Sequence, residues 1–423
     1  MSQPVMSVPT IAGGYAAQFG RPADGLAIAV AVSLPWSTSA TSILVVLWLL
    51  AVMPTLDVAG LRRTLRTPAG GLPVLLLLLA AVGMLWADVP WAERLGGLGA
   101  FLKLAVVPLL IVQFHRSDWG QWLLVGFLAS CGLLLALSWA LVLYGPLDSS
   151  SWFTGKQLGI PVKDYISQSG VFTICAFALL ELANNGWKDR RTSHALGYGL
   201  LALLFLLNIF YVATSRTTLV VIPILLVLFG FLRLGWKQSI GLIVLAMAGA
   251  AFVWMSSPYL RERVTHLVEE VQVYRDSTEE SSTGDRLVFW GMSLHAIRAA
   301  PAFGHGTGSI AGVFRVQGSQ SALNPHNQIF AVGIQLGFVG VVALIAMWVA
   351  HWRLFLGSAA QSWFGLVVVT QNVVSSLFNS HLSDFTQGWV YVFGVGAIAG
   401  MVARLAPTNA SVTKPNAETV VAR

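Results

Sequence analysis

The feature that most constrains this chain is a succession of apolar runs, each about 16–25 residues long, separated by short polar connections. Runs of that length match the hydrocarbon thickness of a bilayer. LPVLLLLLAAVGMLW, at 72–86, is one of them. Inside lipid the backbone must satisfy its own hydrogen bonds, so each run is expected to be a helix. The pattern therefore predicts an all-α, polytopic membrane protein with about 12 transmembrane helices. They are placed near 25–36, 39–54, 71–86, 96–114, 119–144, 165–185, 195–213, 217–233, 239–256, 328–350, 362–379 and 385–404. The first two are short and flank SLPWSTS, which suggests one broken hairpin. With 10% charged residues and a mean hydropathy of +0.73, a soluble fold of 423 residues could not cover its surface.

The net charge of +7 does not point to nucleic acid. The cations fall in short clusters between apolar runs, as orientation by the positive-inside rule produces. With the N-terminus in the cytoplasm, the cytoplasmic connections hold Arg62, Arg63 and Arg66, then Arg116, then Lys188, Arg190 and Arg191. Arg233 with Lys237, Arg353 and Arg404 continue the series. The alternate connections are mixed, as in WADVPWAER with Asp88, Glu93 and Arg94. The first twenty residues lack the basic-then-apolar layout of a cleavable signal, so the first span is expected to act as the targeting element. Cys131 and Cys175 lie within apolar runs and are expected to be small buried hydrophobes, not a disulfide. GAIAG at 396–400 has the small-xxx-small spacing that lets helices approach closely.

The chain divides into transmembrane helices 1–9 over residues 1–256, a long loop on the non-cytoplasmic side over 257–327, helices 10–12 over 328–404 and a cytoplasmic tail over 405–423. The loop is the one long insertion, and long loops carry function more often than short ones. In SPYLRERVTHLVEEVQVYRDS, residues Leu260, Val264, Leu267, Val271 and Tyr274 keep helical spacing on one face. A second helix is expected from Asp285 to Ala299, followed by the glycine-rich turn PAFGHGTGS. The segment thus predicts amphipathic helices lying over the mouth of the bundle.

NPHNQIF, at 324–330, opens the next span. Asn324 reads as the helix N-cap, Pro325 as the first helical residue and His326 as part of the first turn. There the helix dipole would favour a neutral imidazole, which can accept a proton as a general base; local capping is the alternative. Arg216, in YVATSRTTLVVI, occupies a short turn on the same outer side. Arginine beside hydrocarbon is costly unless it snorkels or meets an anion, and ordinary lipid headgroups are one such anion. Arg286, in STGDRLVFW, opens the second loop helix, where pairing with Asp285 or Glu279 is the alternative to a ligand. Two guanidiniums together make a bidentate receptor for phosphate oxygens. The outer compartment has no ATP, so bond formation there needs a donor already activated in the membrane; a lipid-diphosphate sugar is one. A metal site drawn from His305, His326, His381 and Asp384 is the rival, but no HExxH, DxD or CxxC pattern accompanies them. No metal or other cofactor is expected. Lys103 and Arg94 could line a lipid path, or simply snorkel and anchor at the interface.

From GDRLVFW through PAFGHGTGS to NPHNQIF, with ATSRTT upstream, the sequence resembles the O-antigen ligase/polymerase superfamily of bacterial inner-membrane glycosyltransferases. The likeness covers about 200–390 by motif and the remainder by topology. It implies a periplasmic position for the 257–327 loop and a metal-independent, inverting transfer of glycan from undecaprenyl diphosphate to the lipid A-core acceptor. His326 would activate the acceptor hydroxyl while Arg216 and Arg286 hold the diphosphate. Sister activities are a glycan polymerase and a protein O-oligosaccharyltransferase, and a single long loop favours the ligase. A transporter or flippase is the reading from another class. Against it, most spans carry no ionisable residue near their centres and no inverted repeat is apparent.

Overall fold

The computed structural model describes residues 11–145, 158–258, 260–262, 265, 282–319 and 322–405. The described residues form helices and the connections between them, with no strand among them. The helices in chain order are α1 (Ile11–Ser33), α2 (Thr38–Val52), α3 (Val58–Leu65), α4 (Pro68–Gly83), α5 (Trp91–Leu102) and α6 (Val106–Arg116). Next come α7 (Gly120–Tyr144), α8 (Tyr165–Lys188), α9 (Thr192–Tyr211), α10 (Arg216–Arg233) and α11 (Trp236–Ser256). Last are α12 (Ser282–Ala299), α13 (Ile310–Val316), α14 (Gln328–Leu354), α15 (Ala360–Ser375) and α16 (Phe385–Leu405).

Among the described residues nine helices are long and apolar enough to cross a membrane, or ten if α3 and α4, bent by 83°, count as one span. Each of the twelve predicted segments overlaps a helix, but three fall short of that test. α4 and α15 have 16 residues each. The polar GRPADG within α1 leaves only its second half apolar. The predicted amphipathic helix beginning at SPYLRERV lies almost wholly outside the described residues. The second loop helix starts at Ser282, slightly ahead of its predicted start at Asp285.

The burial pattern is that of a bundle in lipid. α8 and α16 form the centre, with most of their residues buried, whereas α11 shows Val244, Leu245, Met247 and Met255 to the outside. Close approach within the bundle depends on small residues. Gly396 and Gly400 of α16 lie against α6, where an added Cβ would strike Leu110 and the Ile111 carbonyl. This is the GAIAG spacing seen in the sequence. Cys131 and Cys175 are buried free thiols.

The predicted basic connections gather at one end of the bundle. Arg116 donates to the Thr55 carbonyl, Lys188 to that of Arg233, and Arg233 to those of Gly357, Ser358 and Ala359. At the opposite end the glycine-rich turn is bolted to the bundle through a break in α14. Gly337 (φ +61°) interrupts the helix and frees carbonyls that would otherwise lack partners. His305 and Gly306 donate their N–H groups to the Ile334 and Gln335 carbonyls, while Phe338 donates to Pro301. Gly306 (φ +89°) sits where a Cβ would collide with the backbone of Ala87. Only glycine meets both demands.

Candidate active site

The end of the bundle secured by this turn carries the polar groups. α14 begins three residues later than the NPHNQIF reading suggests. Asn327, not Asn324, is the N-cap: its Oδ1 accepts from the N–H groups of Ile329 (2.9 Å) and Phe330 (3.2 Å). His326 therefore precedes the helix, in the left-handed region at φ +51°. The expectation that Asn324 caps and His326 occupies the first turn is thus corrected. Asn324 instead accepts the His326 N–H (2.9 Å) and the Ser380 hydroxyl (2.7 Å) through one oxygen. Those two bonds hold a backbone conformation that few residues other than glycine adopt. His326 thus lies outside the first turn, where the helix dipole is expected to act on it.

A different device acts on the imidazole. His326 Nδ1 lies 3.2 Å from Asn379 Oδ1. That oxygen also accepts from the Ser380 N–H (2.9 Å), which can only donate, so the amide is held with its oxygen inward. An oxygen can only accept here, so Nδ1 carries a proton and donates it to Asn379. The ring is stacked on Phe289 of α12, with centroids 6.3 Å apart and planes at 21°. Phe289 in turn stacks on Phe314 of α13. The loop helices thus orient the imidazole from one side and the α15–α16 connection from the other.

Arg286 lies three residues before Phe289 on α12, hence on the same helix face, and is half-buried. Its charge reaches His381 in the α15–α16 connection. Burial brings the His381 imidazole down to about 4, with Asp164 opposing and Arg286 adding to that effect. His381 is 1% exposed and both its ring nitrogens lack hydrogen-bond partners among the described residues, with Asp384 Oδ2 3.9 Å from Nδ1. Asp384 has its acidity weakened by burial, with Lys103 as the main counterweight. Lys103 donates to the carbonyls of Asp384 (2.6 Å) and Ser383 (3.2 Å), so it ties down this connection and does not snorkel. Lys163, in the connection before α8, donates to the Leu34 carbonyl (2.6 Å) and the Thr386 hydroxyl (2.9 Å). Burial lowers its ammonium to about 8, against the pull of Asp384 and Asp164.

Arg216 is the first residue of α10, and Ser215 is its cap. Ser215 accepts from Ser169 of α8, about one and a half turns from Asp164, the α8 cap that acts on His381. Arg216 therefore belongs to the same end of the bundle as Arg286 and His326. Arg94 anchors its own loop, donating to the carbonyls of Val89 and Met84. Of the histidines proposed for a metal, His305 points away to the Ala296 carbonyl. Among the described residues no three His, Cys, Asp or Glu side chains are close enough to hold an ion.

A cavity of about 650 Å³ is lined by Asn324, which accepts the His326 N–H, and by its partner Ser380. Asn324, Ser380, Ser383 and Gln335 line one side, and Gly96, Gly97 and Gly308 the other. Arg315 and Glu93 form an ion pair at 2.8 Å between α13 and α5, and both line the cavity. Amide and hydroxyl groups set against small residues suit a sugar, which presents hydroxyls and flat apolar faces.

Sequence reasoning singled out His326, Arg216 and Arg286 as candidates and passed over Asn379, Lys163 and Asp164, which the fold sets at the same end. NSHLSDF at 379–385 holds Asn379, His381 and Asp384 between two apolar runs, and its polar density was the available signal.

Fold and site together define an all-helical, multi-pass membrane protein with an ordered histidine and buried cations at one end. Residues 201–345 match the family model for O-antigen ligase, a stretch that runs from α9 through Arg216, Arg286 and His326 into α14. Over that third of its length the chain is similar to O-antigen ligases, and the likeness supports glycosyl transfer of the ligase or polymerase type on lipid-linked glycans. No curated protein gives a match to the chain.

Proposed function

We propose that this protein is an O-antigen ligase of the bacterial inner membrane. It would transfer a polysaccharide from undecaprenyl diphosphate to the lipid A-core oligosaccharide on the periplasmic side. The supporting observation is that His326, held through Nδ1 by Asn379, is tied by its backbone to Asn324, which with Ser380 lines a sugar-sized cavity. In this reading the acceptor hydroxyl gives its proton to Nε2 as its oxygen attacks the anomeric carbon. The bond from that carbon to the diphosphate breaks on the opposite face, so the configuration inverts. Undecaprenyl diphosphate leaves with its charge taken up by Arg216 and Arg286, whose forked donors match phosphate oxygens. These cations do the work a divalent ion would do elsewhere, so no metal is required.

The test is surface lipopolysaccharide from cells lacking the protein, complemented with variants. Loss of all glycan-bearing bands, with lipid-linked polymer accumulating, is expected. Cells retaining a single-repeat band would mark a polymerase, and an unchanged profile with altered pilin glycosylation a protein oligosaccharyltransferase. Arg216→Lys and Arg286→Lys should each fail to restore ligation while the protein accumulates normally, because an ammonium cannot make the fork. Normal ligation by both would overturn the bidentate role. Purified enzyme should also turn over in excess EDTA; activity lost and restored by a divalent ion would refute the metal-free mechanism.

A further inference from the structure

A second cavity, of about 740 Å³, opens at the far end of the bundle. α14 spans the distance between the two sites: its 27 residues extend about 40 Å from the His326 end to Arg353. Ile111, Val112, Leu72, Val349 and Leu354 form the walls, together with alanines of α14 and α16. The polar groups that line it are concentrated at helix ends: Arg63 and Asp57 at α3, His115 and Arg116 at the close of α6, Arg353 at the close of α14. Three guanidiniums thus line a cleft in which Asp57 is the one carboxylate among the described residues. Asp57 lies 3.6 Å from Arg63 and also meets the charge of Arg116, so one carboxylate is shared among three guanidiniums and the cleft keeps a net positive charge. Arg116 donates to the Thr55 carbonyl, which fixes its position without neutralising it.

The depth of the cleft is set by α3. This eight-residue helix buries none of its residues, bends 83° away from α4 and exposes Val58 and Leu65 along with Arg62 and Arg63. A short helix of that character lies in the interfacial plane, with its apolar side chains among acyl chains and its cations among headgroups. The mouth of the cleft is therefore at headgroup level and its walls run down beside the hydrocarbon. A free inorganic anion would be served by the rim alone and would leave the apolar wall wet. A lipid phosphate would satisfy both.

We propose that this cleft binds an anionic phospholipid of the leaflet opposite to His326, with its phosphate against Arg63, Arg116 and Arg353 and an acyl chain along Ile111, Val112 and Val349. The site is separate from the glycosyl-transfer end and does not depend on that assignment.

The experiment uses the full chain purified in detergent and titrated with phosphatidylglycerol, phosphatidylcholine or inorganic phosphate, read by native mass spectrometry and by thermal unfolding. Phosphatidylglycerol should remain bound and raise the unfolding midpoint, while phosphatidylcholine and phosphate should not. Arg63→Ala with Arg353→Ala should weaken phosphatidylglycerol binding at least ten-fold. Ala350→Trp, which fills the wall and keeps the charges, should do the same; it covers the event that loss of two arginines impairs folding. His326→Ala should bind as the parent does. Equal effects of phosphatidylcholine and phosphatidylglycerol would overturn the charge argument. Stabilisation by phosphate alone would reduce the cleft to an anion site, and full binding by the tryptophan variant would place the lipid elsewhere.

Discussion

At the scale of single residues, His326 depends on a partner that sequence spacing does not reveal. Asn379 is 53 positions away and adjoins His326 only because α14 and the α15–α16 connection meet at one end of the bundle. Groups that orient a functional imidazole typically change activity 10- to 100-fold when removed. Asn379→Leu should therefore lower kcat by about ten-fold or more, since Nδ1 loses the acceptor that fixes the tautomer. Asn379→Asp should behave differently. A carboxylate beside Nδ1–H stabilises imidazolium and raises its pKa, so the ring becomes protonated at a higher pH. The acidic limb of the pH–rate profile should then move upward, and activity near neutrality should fall without loss of donor binding. Profiles of the parent and Asn379→Asp enzymes that superimpose would remove Asn379 from the mechanism. His326 itself was legible because a histidine beside a proline at the mouth of an apolar run is chemically conspicuous. Its left-handed backbone was not, because Asn324 and Asn327 are equally good caps by type and only the loop contacts choose between them.

At the scale of elements, hydropathy located the helices but not what joins their ends. Arg233 shows this. The sequence presents it as one more basic residue closing a span, suited to snorkelling. In the fold its side chain is 7% exposed, and it lies 3.6 Å from Glu181 of α8, itself 4% exposed, and 5.5 Å from the Trp363 ring centroid. Its guanidinium also collects the carbonyls before α15, so one side chain joins α8, α10 and α15. Removing one partner of such a buried pair costs about 3–5 kcal/mol, mostly because the other charge is left uncompensated. Arg233→Met should accordingly lower the thermal midpoint and the membrane yield sharply. Adding Glu181→Leu removes the stranded carboxylate, and the double variant should recover most of the loss. A double variant no better than Arg233→Met would show that the carbonyl contacts, not the ion pair, account for the cost. The Gly337 break was equally hidden, since an isolated glycine within an apolar run reads as ordinary close packing. Its meaning emerges only with the 301–308 turn set against it.

At the scale of the whole molecule, the chain separates into two ends of opposite character. Arg63, Arg116, Lys188, Arg233 and Arg353, drawn from five separate connections, converge on one. His326, Asn379, Lys163 and the glycine-rich turn converge on the other. Parity of the basic loops anticipated that division, because alternate connections of a bundle must emerge on the same side. It also supplies an absolute direction that the fold lacks: the basic end should face the cytoplasm. Single cysteines test this, since the native Cys131 and Cys175 are buried and out of reach of a bulky reagent. Val316 and Leu323 are 89% and 74% exposed at the His326 end, and Ser193 is exposed at the start of α9 at the other. In intact cells made permeable only at the outer membrane, Val316→Cys and Leu323→Cys should react with an impermeant maleimide. Ser193→Cys should react only after the inner membrane is disrupted. The opposite order, or equal labelling before disruption, would invert or abolish the orientation. Either result would place His326 away from the compartment in which a lipid-linked glycan meets its lipid acceptor, and the proposed ligase reaction would fail with it.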